Sequence, residues 1–241
     1  MEIRIFETAQ EASVAGAKEI ASVIKAQPAT ILGLATGSTP VKMYQEWIRM
    51  NQAGEVDFSK VSSYNLDEYI GLDGTHDQSY RYFMNHNLFD HVNIDKANTH
   101  VPCGNGADHD ADAHNYDAMI EAAGGIDVQV LGIGNNGHIG FNEPSDVFFM
   151  GTHVVNLTDS TIDANKRFFA SREDVPKQAI TLGMGGIMRA KKVVMLAFGE
   201  NKADAVRAMV KGEIDPKCPA SILKVHSDVL VLLDKAAASK L

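Results

Sequence analysis

Residues 30–35 (Thr-Ile-Leu-Gly-Leu-Ala), 128–133 and 193–198 form short, almost unbroken apolar runs, and they constrain the fold more than any other feature of the chain. A strand with one wet face alternates apolar and polar residues. A run that is apolar throughout must be covered on both faces, as in the parallel sheets of α/β proteins. Stretches with helical spacing separate these runs: 9–24, the segment through Tyr44 and Trp47, 79–89, 108–123, 160–169 and 201–210. Shorter strand patterns occur at 2–6, 61–66, 152–157 and 229–233. Strands alternating with helices predict a doubly wound α/β fold, with a mainly parallel sheet carrying helices on both faces and one domain over residues 1–241. Ligands in such sheets bind beyond the carboxyl ends of the strands. Every chemically loaded segment follows a strand here, so one shared site is expected.

Local signals refine the elements. Pro40 and Pro219 suit first helical positions, Ser160 or Asp159 is expected to cap the helix it begins, and Gly212 ends another. Residues 181–186 read as a second glycine-rich turn, and the tail 236–241 as frayed.

The formal net charge of −9 excludes non-specific nucleic-acid binding, which leaves a basic footprint; a few local cations can still hold an anionic ligand. Two distant cysteines, Cys103 and Cys218, imply no disulfide framework and fit a reducing compartment. No apolar run approaches the roughly 18–20 residues that span a membrane, and residues 1–7 lack the apolar core of a signal peptide. A cytoplasmic protein with no membrane partner is expected.

Three segments carry chemistry. Thr36-Gly37-Ser38-Thr39-Pro40 joins a buried strand to a helix, and its N–H groups, hydroxyls and helix dipole make a phosphate cradle. It is not a Walker A loop, since no Gly-Lys-Ser/Thr follows. The segment 132–144 (Gly-Ile-Gly-Asn-Asn-Gly-His-Ile-Gly-Phe-Asn-Glu-Pro) sets Asn136, His138 and Glu143 on a pliable backbone at a strand end. Imidazole paired with a carboxylate exchanges protons near neutrality. Gly132, Gly134 and Gly137 match the dinucleotide fingerprint literally, but Asn142-Glu143-Pro144 reads as loop where that motif needs a helix. Asn65-Leu66-Asp67-Glu68-Tyr69 puts two carboxylates side by side; in extended chain they point to opposite sides, so Asp67 is the one expected to face the site. Arg167 and Lys202, on helices close after strands, could reach an anion. His109 and His114 lie five residues apart among acids, on different helix faces, and read as a solvated surface.

Taken in chain order, these segments resemble the glucosamine-6-phosphate deaminases, the glucosamine-6-phosphate isomerase family. The likeness runs along nearly the whole chain and is strongest in 34–40, 65–69 and 131–144, with support from 165–169, 181–184 and 199–203. The resemblance implies a Rossmann-like fold and conversion of glucosamine 6-phosphate and water to fructose 6-phosphate and ammonia. It implies that His138 opens the sugar ring with Glu143 orienting it and Asn136 alongside, that Asp67 moves the C2 proton, and that Gly37, Ser38, Thr39, Arg167 and Lys202 hold the phosphate. Neither a metal nor an organic cofactor is implied.

Some members carry Asp where this chain has Asn136. Asn cannot take up a proton, so it can only orient the histidine or bind a hydroxyl, and Glu143 is expected to be the main partner of His138. The chain ends soon after the 229–233 strand whereas longer hexameric, allosterically regulated members extend further, so a monomer is expected at least as readily as a homo-oligomer. A 6-phosphogluconolactonase would share the sugar-phosphate handle but would be expected to lack Phe141-Asn142-Glu143-Pro144 and would need no base at Asp67. A non-catalytic sugar-phosphate sensor would be expected to lose the acid–base set.

Overall fold

The computed structural model describes residues 1–166, 169 and 171–241. Seven parallel strands form the main sheet in the order β1 (Glu2–Phe6), β10 (Val229–Asp234), β9 (Lys192–Ala197), β6 (Val128–Leu131), β2 (Ile31–Leu34), β3 (Ser62–Asn65) and β5 (Thr99–His100). As expected from the apolar runs, β2, β6 and β9 are buried over nearly their whole length, and so is β10. Helices α1 (Ala9–Ala26) and α2 (Val41–Gln52) pack on each other, and α1 packs on β9 and β10. Thr8 begins α1 with a capping box, its hydroxyl accepting from the N–H of Glu11 while the Glu11 carboxylate accepts from the Thr8 N–H. The indole N–H of the fully buried Trp47 donates to the Ala17 carbonyl at 3.0 Å, fixing α2 against α1.

From β2 the chain steps outward to β3 and β5; from β6 it steps the other way to β9 and β10. The order therefore reverses between β2 and β6. At that point adjacent crossovers leave in opposite directions and open a crevice at the carboxyl ends. The loops after β2 and β6 are the two most chemically loaded segments of the sequence.

A second, antiparallel sheet, absent from the sequence reading, stands at that end: β4 (Asp67–Tyr69), β8 (Gln178–Thr181) and β7 (His153–Asn156). Its strands have three or four residues, too few for a period-2 pattern to stand out. It packs a small cluster of Tyr69, Phe141, Leu157, Ile162, Val175 and Ala179 beside the crevice. Other helices are α3 (Tyr80–Met84), which continues as a π-helical turn, α4 (His109–Ala122), α5 (Asp159–Asn165), α6 (Met184–Met188) and α7 (Ala203–Lys211).

Three local expectations are corrected. The cap of α5 is Thr158, whose hydroxyl accepts from the Thr161 N–H, and not Ser160 or Asp159. Pro40 occupies the capping position of α2 and not its first turn. The tail does not fray: Ala237 is fully buried, its N–H donates to Asp234, and Lys240 pairs with Asp204. Pro219 does open a short 3-10 helix, and Gly212 ends α7.

Candidate active site

The crevice is a cleft of about 390 Å³, and four adjacent strands, β9, β6, β2 and β3, each send a loop into its wall. Of the residues singled out in the sequence, Gly37, Ser38, Thr39, Asp67, Asn136, His138 and Lys202 line it. Glu143 lies just behind His138. Arg167 falls outside the described residues.

Leu66 ends β3's extension, and the chain turns straight into the antiparallel sheet, where Asp67 and Glu68 point to opposite sides as alternation requires. Glu68, 3% exposed, turns away from the cleft and accepts three backbone N–H groups, from Tyr69, Tyr80 and Arg81. It anchors β4 to the first turn of α3. Asp67 turns into the cleft yet is only 6% exposed, and among the described residues its carboxylate has no hydrogen-bond or ion-pair partner. Burial, with the neighbouring Glu68 charge adding to it, pushes its pKa up to about 8. An unpartnered carboxylate of raised basicity, open to a ligand, is what a proton-abstracting base requires.

After β6 the backbone folds into a tight turn: the Gly134 N–H donates to the His138 carbonyl at 2.8 Å, and the Gly137 N–H to the Gly134 carbonyl. Gly137 takes a positive φ of 88°. The His138 imidazole lies directly over Gly134, where an added Cβ would come within 2.4–2.5 Å of three ring atoms. No helix follows Gly137, so the dinucleotide fingerprint is literal only. His138 Nδ1 stands 3.3 Å from Glu143 Oε2, at ion-pair distance but not in an aligned hydrogen bond. Asn136 braces both: its amide donates to Glu143 Oε2 at 2.7 Å, and its carbonyl oxygen accepts from the His138 backbone N–H at 3.1 Å. Burial alone would raise the Glu143 pKa, but His138, the Thr161 hydroxyl and Asn136 together overcome it and hold the carboxyl at about 2.

The opposite wall suits an anion. Gly37 has a φ of 89°, which only glycine adopts freely, and the first turn of α2 has no side-chain cap, so its N–H groups are left for a ligand. Lys202 reaches the cleft from the turn after β9, which is held by the Gly199 N–H donating to the Asp234 carboxylate. Among the described residues Lys202 has no ion-pair partner, and burial lowers its pKa. A half-buried cation without a counter-ion favours an anionic ligand. Among the described residues no group of three or more His, Cys, Asp or Glu side chains could hold a metal.

A family model described as glucosamine-6-phosphate isomerases/6-phosphogluconolactonase matches residues 6–232. The chain belongs to this family. Within it, a glucosamine-6-phosphate deaminase from Clostridium perfringens is 55% identical over the full length of both chains. One from Clostridioides difficile is 58% identical over 93% of this chain and 90% of its own. A solved structure described as a monomeric glucosamine-6-phosphate deaminase is 41% identical, covers all of both chains and has a TM-score of 0.97. A 6-phosphogluconolactonase from Trypanosoma brucei, 20% identical with a TM-score of 0.73 over 100% of this chain and 98% of its own, shares the fold alone.

The structure also brings in residues that the sequence reading passed over. Thr161 lines the cleft and donates to Glu143 Oε1 at 2.6 Å. The Tyr80 side chain forms part of the wall, its phenol raised in pKa by burial. Neither carries a sequence signal, since Thr161 reads as a helix-start residue and Tyr80 as one aromatic in a helical stretch.

Proposed function

We propose that the chain is a glucosamine-6-phosphate deaminase, converting glucosamine 6-phosphate and water to fructose 6-phosphate and ammonia. One observation carries this reading: a buried carboxylate (Asp67) and a carboxylate-backed imidazole (His138) share one cleft with a lysine (Lys202), and among the described residues neither Asp67 nor Lys202 has an ion-pair partner. Two separate proton-transfer groups and an anion handle are what a phosphorylated cyclic aldose needs in order to be opened and then isomerised.

In this mechanism the phosphate lies on the Gly37, Ser38 and Thr39 turn and on Lys202, with Arg167 proposed as a further contact. His138 takes the proton of the anomeric hydroxyl and returns it to the ring oxygen, which breaks the C1–O5 bond and leaves the open-chain aldehyde. Glu143 stabilises the imidazolium that forms between these steps, and Asn136 holds the pair in place. Asp67 then removes the C2 proton and delivers it to C1. The electron pair of the C2–H bond forms the C1=C2 bond of an enolamine while the C1=O π pair moves onto O1, which takes a proton from solvent. The nitrogen lone pair then forms C2=N as C1 receives the proton from Asp67, leaving an iminium at C2. Water adds to that carbon and ammonia leaves, giving the ketose. General acid–base steps contribute roughly 10²–10⁴-fold each, and the fixed phosphate supplies positioning.

The reading extends to one catalytic domain over residues 1–241, acting as a monomer in the cytoplasm. Support comes from the relative described as monomeric, two free cysteines, and, among the described residues, no helix long and apolar enough to cross a membrane. Light scattering on the purified chain tests the monomer.

The activity is tested by incubating the purified chain with glucosamine 6-phosphate and no added cofactor, and measuring ammonia and fructose 6-phosphate together. Both products in equal amounts are expected. Rapid opening of 6-phosphogluconolactone without any ammonia from the amino sugar would sink the assignment.

A further inference from the structure

The three groups assigned to ring opening lie within eight residues of one another, but the carboxylate among them is also held from elsewhere. Glu143 has two oxygens. Oε2 takes the Asn136 amide and faces His138; among the described residues Oε1 takes only the Thr161 hydroxyl, at 2.6 Å, from α5. Thr161 is in turn fixed by the residue that caps its helix. The Thr158 hydroxyl donates to Thr161 Oγ1 at 3.0 Å and accepts the Thr161 backbone N–H. With its lone pair occupied from Thr158, the Thr161 hydroxyl has its proton free to point at Glu143, so the two hydroxyls and the carboxylate form one directional chain. Each bond in such a chain polarises the next, and the bond to an ionised acceptor is of the stronger kind. Thr161 is 7% exposed, so bulk water does not readily take its place.

We propose that Thr161 is a positioning residue for the ring-opening step, locking the Glu143 carboxylate so that Oε2 stays aimed at His138. This rests on the deaminase reading above. Without the Thr161 hydroxyl, Glu143 Oε1 is left buried and unsatisfied. The carboxylate then rotates to recover a donor, and the imidazole loses the partner that stabilises its protonated form. Thr161 itself moves no proton and makes no bond in the reaction. Its loss should therefore slow ring opening and leave binding of an already open sugar untouched.

The test uses the full-length chain and three variants. Thr161→Val keeps the shape and removes the donor; Thr161→Ala reads the same loss should the valine variant fail to fold; Thr161→Ser restores the hydroxyl. Two measurements are made on each: kcat and KM on cyclic glucosamine 6-phosphate, and the Kd of the acyclic alditol 2-amino-2-deoxyglucitol 6-phosphate by calorimetry. The expected result is a roughly ten- to hundredfold fall in kcat for the valine or alanine variant, the size of one lost hydrogen bond to a charged group, with KM and alditol Kd unchanged and kcat recovered by serine. Wild-type kcat in Thr161→Val overturns the inference alone. So does an equal loss in the serine variant, or an alditol affinity that falls with kcat, because each shows a packing or phosphate-binding role. No ammonia from the unmodified chain overturns the deaminase reading and this inference with it.

Discussion

Asp67→Asn isolates the most consequential electrostatic feature of the cleft. The carboxylate is almost completely buried and has no partner among the described residues, and its pKa rises from the ordinary 3.8 to about 8. At about 1.4 kcal/mol per unit, the ionised form is about 6 kcal/mol less favourable in the folded than in the unfolded chain once the pH exceeds 8. The sign follows from proton binding. The folded state holds this proton more tightly, so the contribution of Asp67 to stability is fully present below about pH 4 and is lost as pH rises through about 8. Asn has the same shape and no charge, so it removes this slope. Between pH 5 and pH 8 the stability of Asp67→Asn relative to wild type should therefore climb by about 2–4 kcal/mol, the lower figure allowing for water entering the cleft. Urea unfolding at pH 5, 6, 7 and 8, followed by the fluorescence of Trp47, the single and fully buried tryptophan, reads the gap directly. The variant should release no ammonia at any of these pH values. Parallel stability curves for the two proteins would refute the reasoning, because Asp67 would then ionise in the fold as it does in water.

The same physical picture sets three further outcomes. Lys202→Met should raise KM for glucosamine 6-phosphate roughly ten- to hundredfold, as loss of a charge-assisted contact does, while leaving the unfolding midpoint unchanged or higher; an unchanged KM would remove Lys202 from the phosphate site. Gly134→Ala should fold with near wild-type stability but lose most of its kcat, since its Cβ meets the tip of the His138 ring at 2.4–2.5 Å and the imidazole can swing aside; full activity would show that the ring position over Gly134 is unimportant. Because the Glu143 pKa is held at about 2, its contribution to stability is present above about pH 4.5 and lost as pH falls towards 2. Glu143→Gln should therefore flatten the acid limb of a thermal-unfolding series, and an identical acid limb would contradict the network around it.

How far the site was legible varied with the range of the interaction behind each feature. The opposite orientations of Asp67 and Glu68 follow from strand alternation, a property of neighbouring residues, and could be read directly. The proximity of Asn136, His138 and Glu143 was legible because all three lie in one short loop. Thr161 was not, because its bond to Glu143 spans 18 residues and depends on how α5 meets the second sheet. Similarly, Thr158 was overlooked as the α5 cap because Thr, Asp and Ser follow one another there, and only the backbone angles choose among them. The docking of residues 236–241 depends on Asp234 and Asp204, from separate elements, and leaves no periodic mark.

By itself the sequence determined the α/β class, the position of the reactive segments at strand ends, and the family, since periodicity, glycine placement and ordered motifs are encoded locally. Only the tertiary structure decided that the strand order reverses between β2 and β6, and that, among the described residues, Asp67 is buried without a partner and Lys202 faces the cleft without a counter-ion. Each of these depends on which distant segments exclude water from a given atom. The carboxylate that sequence marks only as an acid becomes a base of raised pKa because packing removes its solvent.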